Sequence, residues 1–384
     1  MSVTTNVWAD LVGQQRAVQT LKRAATQPGA MTHAWLFTGP PGSGRSVAAR
    51  AFAAALQCPN GGCGACQTCR TCLSGAHPDV VICRTEQLSI GIAETRDLVD
   101  KASKRPMVGP WQVLIIEDAD RVGDRAADAL LKSLEEPPPR TVWLLCAPNA
   151  DDMIVTIRSR CREVRLVTPS DEAVVEVLTR RDGISHDDAW QAARAAQGHI
   201  GRARALARDA EARAARQRIV DLPSTWTSLA ACLNSAAEVV GQAQAQAEAQ
   251  TAELDQRERQ ELEVALGLTT RGVRPRSAAA AMSHLEDEQK LRGKRLQRDA
   301  LDNVLTELAT WYRDVLAVQS GVDASHVINI GSVTQVQAAA AASTVARTTA
   351  RLDAILAARR AIDTSVAPLL AMESLFVDLA RPAS

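Results

Sequence analysis

The chain has 384 residues, which is enough for two or three domains. Its 44 Lys and Arg balance its 44 Asp and Glu. This neutral net charge argues against a protein whose only function is to bind nucleic acid. A hydrophobic fraction of 46% excludes a disordered or collagen-like chain, and 3% aromatic residues offer few platforms for stacking single-stranded bases. The first 15 residues show no basic start before an apolar run, and no apolar stretch reaches the ~20 residues of a membrane span. We therefore expect a cytoplasmic protein, in a compartment where disulfides are rare.

Over residues 1–166, short apolar runs alternate with helical patterns, which predicts a parallel α/β sheet. The strand candidates are continuously apolar, as in a sheet that is covered on both faces; they are 34–38, 80–83, 113–116 and 142–146. Helices are predicted over 46–56 and 126–136, and the second must end at the prolines that follow it.

The remainder of the chain is helical in pattern. Residues 167–210 form a predicted small helical domain, and 211–384 a larger one. Within the larger domain, Asp299–Gln319 and Pro368–Ala380 are the clearest helices, Thr269–Arg276 is a predicted loop, and the segment from Gln242 onward is rich in Gln and Ala.

A glycine-rich segment follows the first predicted strand and opens the next predicted helix. It contains Gly39, Gly42 and Gly44, whose backbone N–H groups could hold the phosphates of a nucleotide. Ser46 stands where a hydroxyl would bind Mg²⁺, but Arg45 stands where a lysine would reach the outer phosphates. We expect a degenerate P-loop that takes ATP or ADP with Mg²⁺ weakly or without hydrolysis; the alternative is a turn that binds no ligand.

Two carboxylates follow the third predicted strand, in an order that does not suit hydrolysis. A hydrolytic site of this class places Asp near the metal and then Glu to polarise water, whereas here Glu117 precedes Asp118. Since geometric errors near 1 Å can cost ~100-fold in rate, this reversal and Arg45 both predict poor hydrolysis. The alternative is a strand end closed by solvated acidic residues.

Five of the nine cysteines fall between Cys58 and Cys72. Closely spaced thiolates in a reducing compartment indicate zinc more than disulfides, and tetrahedral zinc takes four ligands. We predict a structural Zn²⁺ held by four of these thiolates, with Cys72 as the alternative, most naturally for Cys58; the four are Cys58, Cys63, Cys66 and Cys69.

Together with the tripeptide Ser159-Arg160-Cys161, these residues resemble the clamp-loader branch of the AAA+ ATPases, which serves bacterial DNA polymerase III. The resemblance is densest over Trp8–Leu166. It also rests on Leu11-Val12-Gly13-Gln14, which adds Val12 to the expected nucleotide-binding residues, and on Ala129–Pro138.

The resemblance implies a RecA-like AAA+ domain with a zinc insertion, then a helical lid and an all-α collar that mediates oligomerisation. It implies a hetero-pentameric ring with a delta subunit and tau/gamma-type motor subunits, which loads the sliding clamp onto primed DNA. DNA would be contacted mainly through the complex, and no membrane is involved. In the stator type of subunit, the arginine that matches Arg160 reaches into a neighbour's ATP site as an arginine finger.

The departures from the motor subunits are informative. Arg45 replaces their lysine, Glu117 and Asp118 are reversed, and Gly201 stands where they carry a phosphate-sensing arginine, with Arg202 one residue late. These features favour a stator without ATPase activity of its own, acting within the DNA polymerase III holoenzyme. Two alternatives stay open: an ATP-hydrolysing motor subunit, and an unrelated zinc-bearing DNA-binding protein.

Overall fold

The computed structural model describes residues 6–27, 29–85, 89–266, 276–323, 326–364 and 366–381, except the side chains of 276, 277 and 363. The chain divides into two compact units, Met1–Asp209 and Ala210–Ser384. Among the described residues, no helix combines the length and the apolar character that crossing a bilayer would require.

The first unit is built on a five-stranded sheet in which every neighbouring pair is parallel. Its strands are β1 (Ala34–Thr38), β2 (Val80–Cys83), β3 (Gln112–Ile116), β4 (Thr141–Ala147) and β5 (Arg162–Arg165), and their order across the sheet is β2-β3-β4-β1-β5. The four predicted strands are confirmed. The fifth was not predicted, because its sequence is charged and only Val164 is buried.

Helices cover both faces of this sheet, as the continuous apolar strands require. On one face Trp35 packs edge-to-face on Phe52, with ring centroids 5.2 Å apart; on the other, Leu36 belongs to a core with Leu98 and Leu130. The helices around the sheet are α1 (Gln15–Thr26), α2 (Arg45–Gln57), α3 (Gln67–Ser74), α4 (Ile92–Ala102), α5 (Asp124–Glu135) and α6 (Val155–Arg158).

This architecture confirms the predicted parallel α/β sheet covered on both faces, and it agrees with the RecA-like AAA+ domain that the resemblance implies. The strand order places β1 between β4 and β5, and the glycine-rich segment follows it directly into α2. Because parallel strands end at the same edge of a sheet, the residues after β1 and those after β3 lie at one edge, where α/β folds bind their ligands.

Three helices complete the first unit: α7 (Asp171–Asp182), α8 (His186–Ala196) and α9 (Ile200–Arg208). Ser170 caps α7 by accepting a hydrogen bond from the Ala173 N–H at 3.3 Å. The Gln14 side chain links this region to the sheet, because it donates to the Val167 carbonyl at 2.7 Å and accepts from the Val167 N–H at 3.1 Å. That residues 167–210 form a separate lid stays a prediction, as do the other predicted domain boundaries.

The second unit is helical throughout its described part, and its C-terminal all-α character is confirmed. Its core holds Leu308, Tyr312 and Phe376. Residues 269–275 of the predicted loop lie outside the described residues, and Arg276 begins a helix. The helices are α10 (Ala210–Thr225), α11 (Leu229–Ala265), α12 (Arg276–Gln319), α13 (Val333–Ala341), α14 (Val345–Asp363) and α15 (Pro368–Ala380).

The Gln/Ala-rich segment lies in α11, which packs beside α12. Ala243 and Ala247 are buried, since their small side chains allow close approach. Further along α11, Glu258 binds the buried Arg292 of α12 at 2.5 Å. Apolar and ionic contacts therefore both hold the two long helices together.

Candidate functional site

The glycine-rich segment lines a cavity of about 340 Å³ at the carboxyl edge of the sheet. Gly44 is the N-cap of α2, with a positive φ of 90° that favours glycine. The cavity brings together Val12 and the predicted loop residues Gly42, Gly44, Arg45 and Ser46. Its wall is completed by residues of α7 and α9 and by the N-cap of α9; they include Val177, Arg181, His199, Gly201 and Arg204. The loop residues therefore share one cavity with residues of the helices that follow the sheet. That this cavity holds phosphates stays a prediction.

Arg45 turns back onto the loop. Its Nη1 donates a hydrogen bond to the carbonyl oxygen of Gly39, the first glycine of the segment. The guanidinium, which is larger than a lysine ammonium and presents a planar fork of donors, is thereby used in an internal contact. This is the physical consequence of the Arg-for-Lys difference noted in the sequence.

His199, at the start of α9, packs closely against the loop. A Cβ atom built on Gly42 would lie 2.5 Å from the His199 Cα, and Gly42 has a positive φ of 83°. The His199 Nδ1 accepts the Arg202 N–H at 3.2 Å and so caps the helix. Burial, followed by the charges of Arg202 and Arg45, lowers the pKa of His199, so its ring is neutral at pH 7.

Gly201 faces this ring and brings no charge to the cavity. A Cβ at Gly201 would lie 3.3 Å from the His199 Cε1. The position that would carry a phosphate-sensing arginine thus borders a neutral imidazole. Two other cations at the cavity, Arg181 and Arg204, bind Asp10 at 2.9 Å and Asp182 at 2.7 Å, respectively.

The carboxylate expected at the metal is engaged by a cation. Glu117, directly after β3, is 9% exposed, and its Oε1 accepts from the Arg50 Nε at 3.1 Å and Nη2 at 2.7 Å. Asp118 follows it and is half-buried, and burial and then the Asp118 charge raise the pKa of nearby Asp120. The structure therefore places Glu117 and Asp118 at the same edge as the loop, with Glu117 neutralised by Arg50.

Arg50 is the residue that sequence reasoning missed at this site. It lies one helical turn after Ser46 on α2, so i,i+4 spacing puts both side chains on the same face. The sequence shows this spacing. The partner of Arg50, however, depends on how β3 packs against α2, and no local sequence pattern specifies that packing.

Four cysteines converge beside α2, and they are the four that were predicted. The sulfur atoms of Cys58, Cys63, Cys66 and Cys69 all lie within 4.8 Å of one another. In a tetrahedral site with Zn–S bonds of about 2.3 Å, sulfurs lie about 3.8 Å apart. The Cys58 Sγ is 3.8 Å from the Sγ of both Cys63 and Cys66. The donor set and its spacing therefore fit zinc, and Cys58 rather than Cys72 is the fourth member of the cluster.

Backbone groups prepare two of these sulfurs to act as thiolates. Burial opposes ionisation of Cys58, but N–H groups of Cys63, Gly62 and Asn60 outweigh it and lower its pKa to about 6. The pKa of Cys63 is also lowered, first by backbone hydrogen bonds from Cys66 and Ala65. The thiolate, not the thiol, is the metal ligand.

The pKa of Cys72 is shifted in the opposite direction. It is fully buried, and desolvation followed by nearby negative charge raises its pKa to about 12. Four thiolates would fill the coordination shell of a bound zinc, so its chemistry would be structural. The cluster also anchors the segment around Val7, since the Val7 N–H donates to the Gly62 carbonyl at 3.1 Å.

Arg160 lies between α6 and β5, at the edge of the sheet where strands begin. Its side chain is 33% exposed and forms an ion pair with Glu135 at the end of α5. Its Nη1 also donates to the Thr156 carbonyl at 2.6 Å. The structure does not bring Arg160 to this chain's own loop residues. Glu135, in the segment Ala129–Pro138, is a partner that the sequence did not indicate.

The first unit matches known proteins. The family profile described as "DNA polymerase III, delta subunit" matches residues 13–170. The chain is 33% identical over 189 residues to DNA polymerase III subunit delta' of Escherichia coli, covering 48% of this chain and 57% of that protein. It is 36% identical over 154 residues to the delta' subunit of Pseudomonas aeruginosa, covering 38% and 47%.

Subunits of a second type match equally well. DNA polymerase III subunit tau of Bacillus subtilis is 33% identical over 170 residues, covering 43% of this chain and 30% of that protein. The chain thus spans about half the length of the delta' relatives and about a third of the tau relative. Identity alone does not separate the two types.

Proposed function

We propose that the chain is a delta-prime-type stator of the clamp-loader family of DNA polymerase III subunits, whose family profile and members it matches over its first unit. As a stator it hydrolyses no ATP itself and donates Arg160 to the ATP site of a neighbouring motor subunit. Its partners are the tau/gamma-type subunits and the delta subunit of a hetero-pentameric ring that loads the sliding clamp onto primed DNA.

One observation carries the proposal. Glu117, where a metal-facing carboxylate would stand, is buried and bound to the Arg50 guanidinium at 2.7 Å. A divalent cation there would have to displace that guanidinium or bind beside it, against charge repulsion. The inward turn of Arg45 onto Gly39 and the missing cation at Gly201 favour the same conclusion.

The zinc cluster contributes to folding in this proposal. If Zn²⁺ is bound, Cys58, Cys63, Cys66 and Cys69 hold it, and it supplies local folding energy rather than chemistry. The Val7 N–H donates to the Gly62 carbonyl inside the cluster, and the segment anchored in this way continues to Val12 at the cavity.

The arginine-finger role of Arg160 rests on its position. It is partly exposed, remote from this chain's own P-loop, and held by Glu135 at the surface. A planar guanidinium brought to a bound γ-phosphate stabilises the charge that develops in phosphoryl transfer, a contribution of about 10³–10⁵ in turnover. Glu135 would release it when a neighbour's phosphates compete for the same donors.

The test is ATP turnover by a reconstituted loader that contains Arg160→Ala, with Arg158→Ala as the matched control. Arg158 lies two residues away, is similarly exposed, and pairs with Asp151. We expect Arg160→Ala to slow turnover by at least 100-fold while the complex still assembles, and Arg158→Ala to leave turnover within twofold. Unchanged turnover with Arg160→Ala would refute the donated-arginine role.

A second candidate function is an ATP-hydrolysing motor subunit of the tau/gamma type. The observation in its favour is the 340 Å³ cavity lined by Val12, Gly42, Gly44 and Ser46, which retains the loop glycines and the hydroxyl of a nucleotide site. The two candidates differ in whether the purified chain turns over ATP.

A further inference from the structure

The two most exposed large apolar side chains of the described residues are neighbours in sequence. Met107 is 84% exposed and Val108 is 76% exposed. They lie between α4 and β3, in the segment 106–110 that we call the tip. Single exposed apolar residues are common on protein surfaces, but two adjacent residues this exposed in one short connection are a compact apolar feature.

A buried carboxylate holds the backbone of the tip. Asp79, just before β2, is 1% exposed, and it accepts the N–H groups of Met107 at 2.6 Å, Val108 at 2.8 Å and Gly109 at 2.7 Å. Hydrogen bonds to an ionised acceptor are about twice as strong as neutral ones. The conformation that presents Met107 and Val108 is therefore fixed from inside the fold.

A second buried side chain holds the segment that follows. Gln57, the last residue of α2, is 4% exposed; it donates to the Trp111 carbonyl at 2.6 Å and accepts the Trp111 N–H at 3.3 Å. Pro106 and Pro110 are the first and last residues of the tip, and their rings restrict its φ angles. A connection between a helix and a strand needs neither two buried polar anchors nor an exposed apolar pair.

The tip lies apart from both the phosphate loop and Arg160. It precedes β3, so it lies at the edge where strands begin, opposite the phosphate loop that follows β1. Arg160 precedes β5, which is separated from β3 by β4 and β1. A partner at the tip would therefore contact a different part of this unit from the neighbour that receives Arg160.

We propose that the tip is a docking element, which inserts Met107 and Val108 into an apolar pocket of a protein partner whose edge is acidic. The charge follows from Lys104 and Arg105, which are exposed and immediately precede the tip. A preorganised backbone lowers the entropy lost on binding, and methionine adapts its shape to irregular pockets. The partner set is that of the proposed function, on which this inference rests.

A protein pocket suits the tip better than nucleic acid does. Tight binding to DNA needs many phosphate contacts from cations, and only two cations flank the tip in a chain of zero net charge. Bases are held by stacking on aromatic rings, and the tip has none. Apolar contact with a charged rim is the arrangement of protein interfaces.

The test measures binding of the full-length chain to three purified proteins separately: the tau/gamma-type subunit, the delta subunit and the sliding clamp. The test variants are the doubles Met107→Ser with Val108→Ser and Lys104→Glu with Arg105→Glu. Val264→Ser is the matched control, because Val264 is 67% exposed and lies in the second unit. Primed DNA is a fourth probe. All changes are at exposed side chains, so the thermal midpoint of each variant should equal that of the wild type.

We expect the serine double variant to bind one of the three proteins about 100-fold more weakly, which is tenfold for each side chain that leaves a pocket. The charge-reversed variant should weaken the same complex, and the control should not. Binding of all three proteins within twofold of the wild type would overturn the docking proposal alone, as would a loss confined to primed DNA. A wild-type chain that binds none of the three would overturn the proposed function together with it.

Discussion

Replacing Arg50 or Glu117 tests whether their ion pair is a fixed part of the fold. Arg50→Ala leaves the Glu117 carboxylate, 9% exposed, without its two hydrogen bonds from the guanidinium. Removing one partner of a fully buried pair costs about 3–5 kcal/mol. The Arg50 side chain is 29% exposed, so solvent screening reduces the expected loss to about 2 kcal/mol.

Urea unfolding of the wild type, Arg50→Ala, Glu117→Gln and the double variant measures the coupling between the two side chains. We expect the double variant to be less destabilised than the sum of the single ones, with a coupling of about 1.5 kcal/mol. Lys101→Ala is the matched control: Lys101 pairs with Asp97 at 2.7 Å, but both are exposed, so its loss should be below about 0.5 kcal/mol.

A metal-binding role for Glu117 makes the opposite prediction. In that case Glu117→Gln would weaken Mg²⁺-dependent binding of ADP by the purified chain, and the effects of Arg50 and Glu117 on unfolding would be additive. Additive unfolding effects, within about 0.3 kcal/mol, would refute the ion-pair reasoning.

Three further predictions concern other parts of the first unit. Cys63→Ser should remove bound zinc and speed amide exchange at Val7, whereas Cys72→Ser should retain the metal. Native mass spectrometry measures the bound zinc, and hydrogen exchange measures the protection of Val7. Equal zinc loss in the two variants would argue against the proposed ligand set. Gly42→Ala should destabilise the unit by about 2 kcal/mol or more, because its φ is +83° and its Cβ would overlap the His199 Cα; an unchanged urea midpoint would contradict this contact. Burial opposes ionisation of Asp79, but N–H groups of Gly109, Met107 and Val108 lower its pKa. The stability that these hydrogen bonds contribute is fully present above the pKa of the Asp79 carboxyl in the unfolded chain. It is lost as the pH falls through the lower pKa of this carboxyl in the folded chain. Asp79→Asn should therefore reduce the dependence of the free energy of unfolding on pH in this acid range.

The sheet could be predicted because its strands are apolar at nearly every residue. β1 and β4 are buried along their whole length, and their boundaries follow the apolar runs. β5 could not be found in this way, because three of its four residues are charged and exposed at the sheet's margin. A strand that buries one side chain leaves almost no trace in hydropathy.

The cysteine cluster could be predicted because spacing controls it locally. Cys63, Cys66 and Cys69 are three residues apart, and the turns between them keep their sulfurs together. The membership of Cys58 was less certain from sequence; it depends on the end of α2, where Cys58 is the C-cap residue, and on the glycine turn that follows.

Contacts between distant segments could not be predicted. The pairs Arg50 with Glu117, Gly42 with His199 and Arg160 with Glu135 each join residues that are far apart in sequence. Their partners are selected by strand order and helix packing. The sequence therefore predicted an altered nucleotide site, and the structure shows which internal groups contact the predicted loop and carboxylate.

Phosphate release from ATP by the purified chain, measured with Mg²⁺ and compared with Ser46→Ala, tests the stator proposal most directly. Glu117 bound by Arg50 and Arg45 turned onto Gly39 predict that release by the wild type stays at the level of the Ser46→Ala variant. Sustained turnover by the wild type that the Ser46→Ala change abolishes would contradict the proposal and identify a motor subunit instead.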